Sequence, residues 1–274
     1  MKLPSDALKA SIFVGQSDVQ LILAPRAQVD IVPKPDRWLV YMPPGVRGES
    51  KPSSTLAHGE AALRVHRPFG SWDLNLYAAR THWHQPDKGL DPQTGNIVYP
   101  RLNMYGATVQ GGLMGGVLSL EGGYYHSVED KNGTNPYVAN SQWRWLVGYE
   151  HELVSDVSLG LQLYGEYMRQ YDGYLPAAQA AFQLGRGPKP LPRHRVMATA
   201  NLRALMLNQT LSFTCFAMAV QHGGRMVNPE LSYAVNDALS VTAGGHVFFS
   251  GPDSWMLGMM KHDDNAYLWA RFSF

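Results

Sequence analysis

His82-Trp83-His84 sets two imidazoles on one face of an extended segment, and Asp87 and Asp91 follow closely. Imidazole and carboxylate are donor types that hold divalent metals. The plainer expectation is a tryptophan at a strand end, flanked by polar residues that lead into a loop. Tyr125-His126-Ser127 offers a hydroxyl beside an imidazole. A nucleophile and its base must lie within hydrogen-bond reach, and adjacent strand residues point to opposite faces, so this pair cannot act directly. Glu129-Asp130-Lys131-Asn132-Gly133 and His262-Asp263-Asp264-Asn265 are acidic patches of a kind that can bind Ca²⁺ or bridge anionic lipid, and more often are solvated loops. No catalytic residue, no metal and no cofactor is expected.

The more informative charges are Glu60, Arg64, Asp73, Glu121, Arg144, Glu150, Glu166, Arg195, Arg203, Glu230 and Arg271. Nearly all fall in segments of period two. GEAALRVHR sets Ala61, Leu63 and Val65 against Glu60, Arg64 and His66. QWRWLVGYE sets Trp143, Trp145, Val147 and Tyr149 against Gln142, Arg144 and Glu150. RVMATANLRALM sets Val196, Ala198, Ala200 and Leu202 against Arg195, Thr199, Asn201 and Arg203. Strict alternation of this kind marks strands with one polar and one apolar face. The segments run roughly 9 to 14 residues, longer than the usual strand of about 5 to 6. About 13 can be marked, beginning with LKASIFV and VQLILAP, and helical spacing does not persist for three turns. The connections alternate: Phe69-Gly70, Ser155-Asp156, Asn208-Gln209 and Asn236-Asp237 are tight, while 84–100, 127–139 and 169–192 are long and polar. That is the layout of an up-and-down antiparallel meander.

Composition decides what such a sheet faces. Charged residues make up 16% of the 274 residues, below the roughly 25% of soluble domains. No run approaches the ~20 apolar residues of a membrane-spanning helix. The net charge of +1 gives no reason to expect nucleic acid, and the single cysteine, Cys215, allows no internal disulfide. A soluble sandwich would tolerate the same alternation. Three features favour a membrane instead. Strands of about 9–11 residues match a tilted crossing of the hydrocarbon layer. Trp72, Trp83, Tyr99, Tyr124, Tyr149 and Tyr167 sit near strand ends, where interfacial aromatic girdles form. Lysine is scarce in the strands. The expected fold is a single all-β domain over 1–274, an antiparallel up-and-down transmembrane β-barrel with about 12–14 strands. The charged series would line its lumen, with the signs nearly balanced, so no strong single-sign field is expected. Tyr77 and Tyr164 would join that lining. The opening MKLPSDALKASIFVG lacks the uninterrupted apolar core of a signal peptide. Single-chain bacterial barrels have even strand numbers, so the odd count leads to the expectation that N-terminal strands and a signal peptide are missing.

The segments KLPSDALKASIF, PRLNMYGATVQGG, EGGYYHSVEDKNGTNPYVANSQWRWLVGYEHEL, LMLNQTLSF and DNAYLWARFSF resemble those of a porin-like outer-membrane β-barrel family of Gram-negative bacteria. The resemblance spans essentially the whole chain and carries architecture, with no catalytic motif. It implies a channel in the outer membrane for passive diffusion of small hydrophilic solutes. The alternatives are a structural or adhesive barrel acting through its long loops and, behind that, a lipase-type enzyme. The last ten residues, NAYLWARFSF, resemble the terminal strand by which such barrels are recognised for insertion, with Leu268, Ala270, Phe272 and Phe274 on the lipid side and Arg271 on the other. The partners so implied are outer-membrane lipid, lipopolysaccharide and the insertion machinery.

Overall fold

The structure, a computed structural model, describes residues 6–31, 46–249 and 257–274. The first residues of the opening segment, including Lys2, Pro4 and Ser5, lie outside the described residues.

The chain is all-β. Thirteen strands form one antiparallel sheet: β1 (Leu8–Val14), β2 (Ser17–Ala24), β4 (Glu60–Phe69), β5 (Trp72–His82), β7 (Arg101–Leu113), β8 (Gly116–Ser127), β9 (Gln142–Val154), β10 (Val157–Met168), β11 (His194–Met206), β12 (Leu211–Val220), β13 (Gly224–Ala234), β14 (Leu239–Phe249) and β15 (Asn265–Phe272). Each pairs with its sequence neighbour, so the sheet is a meander whose order begins at β1 and ends at β15. β3 (Gly48–Glu49) and β6 (Asn96–Ile97) form a separate parallel pair within the long connections. The strand number agrees with the sequence reading, and the alternation of connections does so except between β12 and β13, where 221–223 is a tight turn in place of a long loop.

The tight turns carry residues at positive φ, including Met114, Leu207 and Gln209 besides glycine, asparagine and aspartate. Gly15 and Gly70 adopt φ of 60° and 61°, and Asp156 adopts 66°. Asparagine and aspartate tolerate this region better than other non-glycine residues. The turn expected at Phe69-Gly70 lies one residue later, because Phe69 still pairs with Trp72. A larger departure is α1, a helix at Tyr171–Gln183 inside the connection expected to be an irregular loop. Its buried residues are Tyr174, Ala178 and Ala181, a helical i, i+4, i+7 stripe. Pro176 within the same segment obscures that stripe in the sequence, since proline disfavours helix interiors.

The chain divides into two compact units. One holds Met1–Val109, Glu121–Trp145 and Glu166–His194, and the other holds Gln110–Leu120, Leu146–Gly165 and Arg195–Phe274. The first contains the four leading strands of the sheet, the long-loop ends of β7 to β10, and the two small cores of the loops. Val29, Ile97 and Tyr99 pack together with Val46, and Met168, Tyr174 and Ala178 pack with Tyr171 and Leu191. Tyr99 is therefore a loop-core residue and Trp83 is only 2% exposed, so neither belongs to an interfacial girdle as expected. Trp143 and Trp145 are exposed on the apolar face instead.

The second unit contains the turn ends of β7 to β10 and the strands from β11 onward. Its register includes one interruption. Pro229 stands within β13, where it lacks the N–H that a ladder requires. The pairing of β13 with β14 joins Val227 to Val247 and Glu230 to Gly244 but skips Asn228 and Pro229. The Asn228 side chain donates to the Gly245 carbonyl at 2.8 Å, supplying the donor that proline cannot.

Candidate functional site

Cross-strand pairing sorts the charged residues by face. In the first unit, Ala61 lies opposite Arg80, Leu63 opposite Ala78 and Val65 opposite Leu76, while Arg64 lies opposite Tyr77 and Pro68 opposite Asp73. Arg64 and Asp73 thus share the polar face. Asn75 donates to Thr108 at 3.2 Å and brings β7 into the same frame. In the second unit Arg203 lies opposite Thr214, Thr214 opposite Glu230 and Arg271 opposite Ser240. The apolar residues Leu202, Cys215, Pro229 and Val241 occupy alternate positions. Every residue of the expected charged series falls on the polar face by pairing or by strand alternation.

What these residues contact varies. Arg64 donates through Nε and Nη2 to Asn75 Oδ1 at 2.9 and 2.7 Å, engaging an amide in place of a carboxylate. Asp73 meets His66 Nε2 at 2.8 Å. Arg144 forms an ion pair with Glu166 at 3.4 Å. Its guanidinium also lies 4.2 Å from the Tyr125 ring centroid and 5.5 Å from that of Trp83. Tyr125 and Trp83 stack on each other at 5.8 Å. A guanidinium held between two aromatic faces and a carboxylate is fixed in place by charge, quadrupole and shape together. Trp83 is the residue the sequence reading missed here. Its neighbours in His82-Trp83-His84 drew attention to metal chemistry, while the tryptophan itself orders Arg144.

Both imidazoles of that triplet turn to one acceptor. His84 Nε2 lies 2.8 Å from Glu60 Oε1 and His82 Nδ1 lies 3.3 Å from the same oxygen. Thr81 donates to it at 2.6 Å. The bond to Glu60 raises the His84 pKa above its ordinary value against the opposing effect of burial, and the charges of Glu60 and Asp30 add to the rise. Asp87 pairs with Lys88 at 2.5 Å. Asp91 caps its own turn through Thr94 Oγ1 at 2.7 Å and the Gln93 amide at 2.9 Å, contacts that hold its carboxyl below the usual range. Among the described residues no group of three or more His, Cys, Asp or Glu is disposed to hold a metal ion. His126 approaches Tyr124 OH at 3.5 Å, whereas Ser127 is fully buried and its amide is taken up by Ser141 Oγ at 3.0 Å. The two do not meet.

The second unit carries a polar network of its own. Tyr267 OH donates to Glu230 Oε2 at 2.9 Å and receives a bond from Asn228 at 3.3 Å. Thr242 donates to Ser232 at 2.9 Å. Glu150 and Arg203 line one cavity of about 370 Å³ near the tight turns, together with Glu152 and Ser158. Glu150, Arg203 and Arg271 are exposed in the second unit, as Glu121 is in the first. On the opposite, apolar face Leu268 and Phe272 are 74% and 67% exposed, and Phe274 is bare.

No protein-family model matches the chain, and no curated protein matches it. Solved structures do. A porin refined at 1.8 Å resolution is similar over 97% of this chain and 80% of its own, with a TM-score of 0.51 and 8% identity. A triple mutant of the Rhodopseudomonas blastica porin is similar over 94% of this chain and 76% of its own, with a TM-score of 0.42 and 12% identity. An engineered protein described for asymmetric conductivity gives the same figures of 94%, 76%, 0.42 and 12%. The likeness is one of fold: this chain has a porin-like β-barrel fold.

Proposed function

We propose that the chain is a porin-like channel of the outer membrane, passing small hydrophilic solutes by passive diffusion and without catalysis. The observation that carries this reading is the segregation of faces. The acids of the long strands from β4 onward lie on the polar face, and the other face presents Leu63, Leu76, Trp145, Val147, Leu161 and Leu163 to its surroundings. Lipid is the solvent that suits such a face, since in hydrocarbon the backbone must be satisfied within the sheet. Water is the solvent that suits the other. The likeness of fold to the porin refined at 1.8 Å resolution supports the same division. Arg64, Asp73, Glu121, Arg144, Glu150, Glu166, Arg195, Arg203 and Arg271 are then the pore lining. Leu268, Phe272 and Phe274 form the terminal insertion signal, read by the barrel-insertion machinery.

The test is planar-bilayer conductance of the refolded full-length chain. Discrete steps are expected. Their absence at every salt concentration overturns the channel. Arg203→Glu removes an exposed cation near Glu150 and Glu152, and a shift of reversal potential toward cation preference is expected. An unchanged reversal potential removes Arg203 from the lining. A structural or adhesive barrel is the second reading, favoured by the order within the long connections: α1 and the β3–β6 pair give them fixed shape. It is the reading that absent conductance in a correctly inserted chain would leave.

A further inference from the structure

The apolar face of the first unit carries a groove with an arginine at its rim. Leu8 lies opposite Leu23, Leu23 opposite Ala61 and Ala61 opposite Arg80, so these four form one row across β1, β2, β4 and β5. The row lies at the long-loop end of the strands. Above it Leu56 and Ala57 belong to a short 3-10 helix, and Leu56 is 86% exposed. Together with Pro25 these residues line a cavity of about 730 Å³, a size that accommodates a small ligand.

The charged residues that line it are Asp6, Glu60 and Arg80. On the apolar face of β4, β5 and β7 the residues that carry a charged side chain, His82 aside, are Arg67, Arg80 and Arg101, with no carboxylate on that face of these strands. Arg67 lies at the tight-turn end. Arg80 and Arg101 lie at the long-loop end, where the Trp83 amide bonds to the Pro100 carbonyl at 2.8 Å and joins the ends of β5 and β7. Arg80 is exposed and, among the described residues, has no ion-pair partner. The two carboxylates at the groove are engaged elsewhere: Asp6 pairs with Arg26 at 3.1 Å, and Glu60 receives His82, His84 and Thr81.

An apolar trough that ends at a cation complements an amphiphile with an apolar chain and an anionic head. We infer that this groove seats a membrane lipid bearing a phosphate headgroup, its acyl chain along Leu8, Leu23, Ala61 and Leu56 and its phosphate on Arg80. Guanidinium suits this role because its fork matches two phosphate oxygens. The inference rests on the membrane reading above and gives that face a specific lipid.

The experiment uses the full chain refolded in maltoside micelles, with native mass spectrometry counting retained lipid. Phosphatidic acid and phosphatidylcholine of the same acyl chains are the probes, and inorganic phosphate is the competitor. The wild type is expected to retain phosphatidic acid in preference. Arg80→Gln is expected to weaken that retention by about tenfold, the scale of one lost charge-assisted bond. Leu56→Asp is expected to weaken both lipids. Equal retention of phosphatidic acid by the wild type and Arg80→Gln overturns the site, as does its displacement by equimolar inorganic phosphate. Insertion into phosphatidylcholine vesicles is followed in parallel. A wild type that inserts but shows no lipid preference refutes this inference alone, and one that does not insert refutes the membrane reading beneath it.

Discussion

Asn228→Ala isolates a bond on which the sheet of the second unit depends. Pro229 removes the donor that would serve the Gly245 carbonyl, and Asn228 Nδ2 replaces it at 2.8 Å. Leaving that carbonyl unpaired in a part-buried ladder costs about 1–3 kcal/mol, the desolvation penalty of one polar group. The weaker bond from Asn228 to Tyr267 OH at 3.3 Å is lost with it, which places the expected loss near the upper part of that range. Pro229→Val on the Asn228→Ala background restores a backbone N–H at the position where β13 and β14 miss two pairs. It should recover about 1 kcal/mol, the net worth of one hydrogen bond. Val is also tolerated on this face, because the residue opposite on β12 is Cys215 on the apolar side. The assay is urea unfolding of the refolded chain in lipid vesicles, followed by tryptophan fluorescence. Asn228→Ala should lower the midpoint at constant slope, and the double variant should regain part of that loss, about 1 kcal/mol. A double variant no more stable than Asn228→Ala refutes the reasoning, since the missing donor would then not be the cause.

Two further outcomes follow from local geometry. His84 has a raised folded-state pKa, so its bond to Glu60 contributes stability that is fully present below the ordinary histidine value and lost as pH rises through the raised one. Hydrogen exchange at the Asp30 amide, bonded to the His84 carbonyl at 3.1 Å, should quicken over that upper window beyond the intrinsic base-catalysed rate. The same excess in His84→Gln would show that another group titrates. Gly244→Ala places a Cβ 2.5 Å from the Tyr267 ring, so the ring must shift and its bond to Glu230 weakens. A loss of about 1–3 kcal/mol, the cost of overpacking, should appear in the same urea assay and fall sharply in a Tyr267→Ala background.

The strands were legible because alternation is a local property. The residues of GEAALRVHR and RVMATANLRALM fall on the faces their spacing assigns, and the cross-strand pairs Leu63–Ala78 and Arg203–Thr214 match like with like. The loops were less legible because their order depends on contacts between distant segments. Tyr99 reads as a girdle residue until Val29 and Ile97 surround it. Its hydroxyl bonds to Glu49, 50 positions away, and burial together with that carboxylate raises its pKa. α1 was hidden by Pro176 within it, and its anchor is likewise a contact from another part of the loop, the Leu191 amide donating to the Tyr174 hydroxyl at 3.1 Å.

The candidate site divides along the same line. Which charges share a face follows from alternation, but which of them remain available to a solute depends on neighbours that alternation does not specify. Arg144 is held by Tyr125, Trp83 and Glu166, and Arg64 is held by Asn75. These two cations are anchored on the polar face by their neighbours. In the proposed channel, a nearly even tally of signs in the sequence would therefore overstate the cancellation that an ion meets. In the second unit Glu150, Glu152, Arg203 and Arg271 are exposed, and in the proposed channel these would set the local field. Because Arg203 shares a cavity with Glu150 and Glu152, reversing its charge changes the local balance more than reversing Arg144, whose neighbours already fix its place. That difference is why the reversal potential of Arg203→Glu tests the lining more directly than that of the more conspicuous arginine.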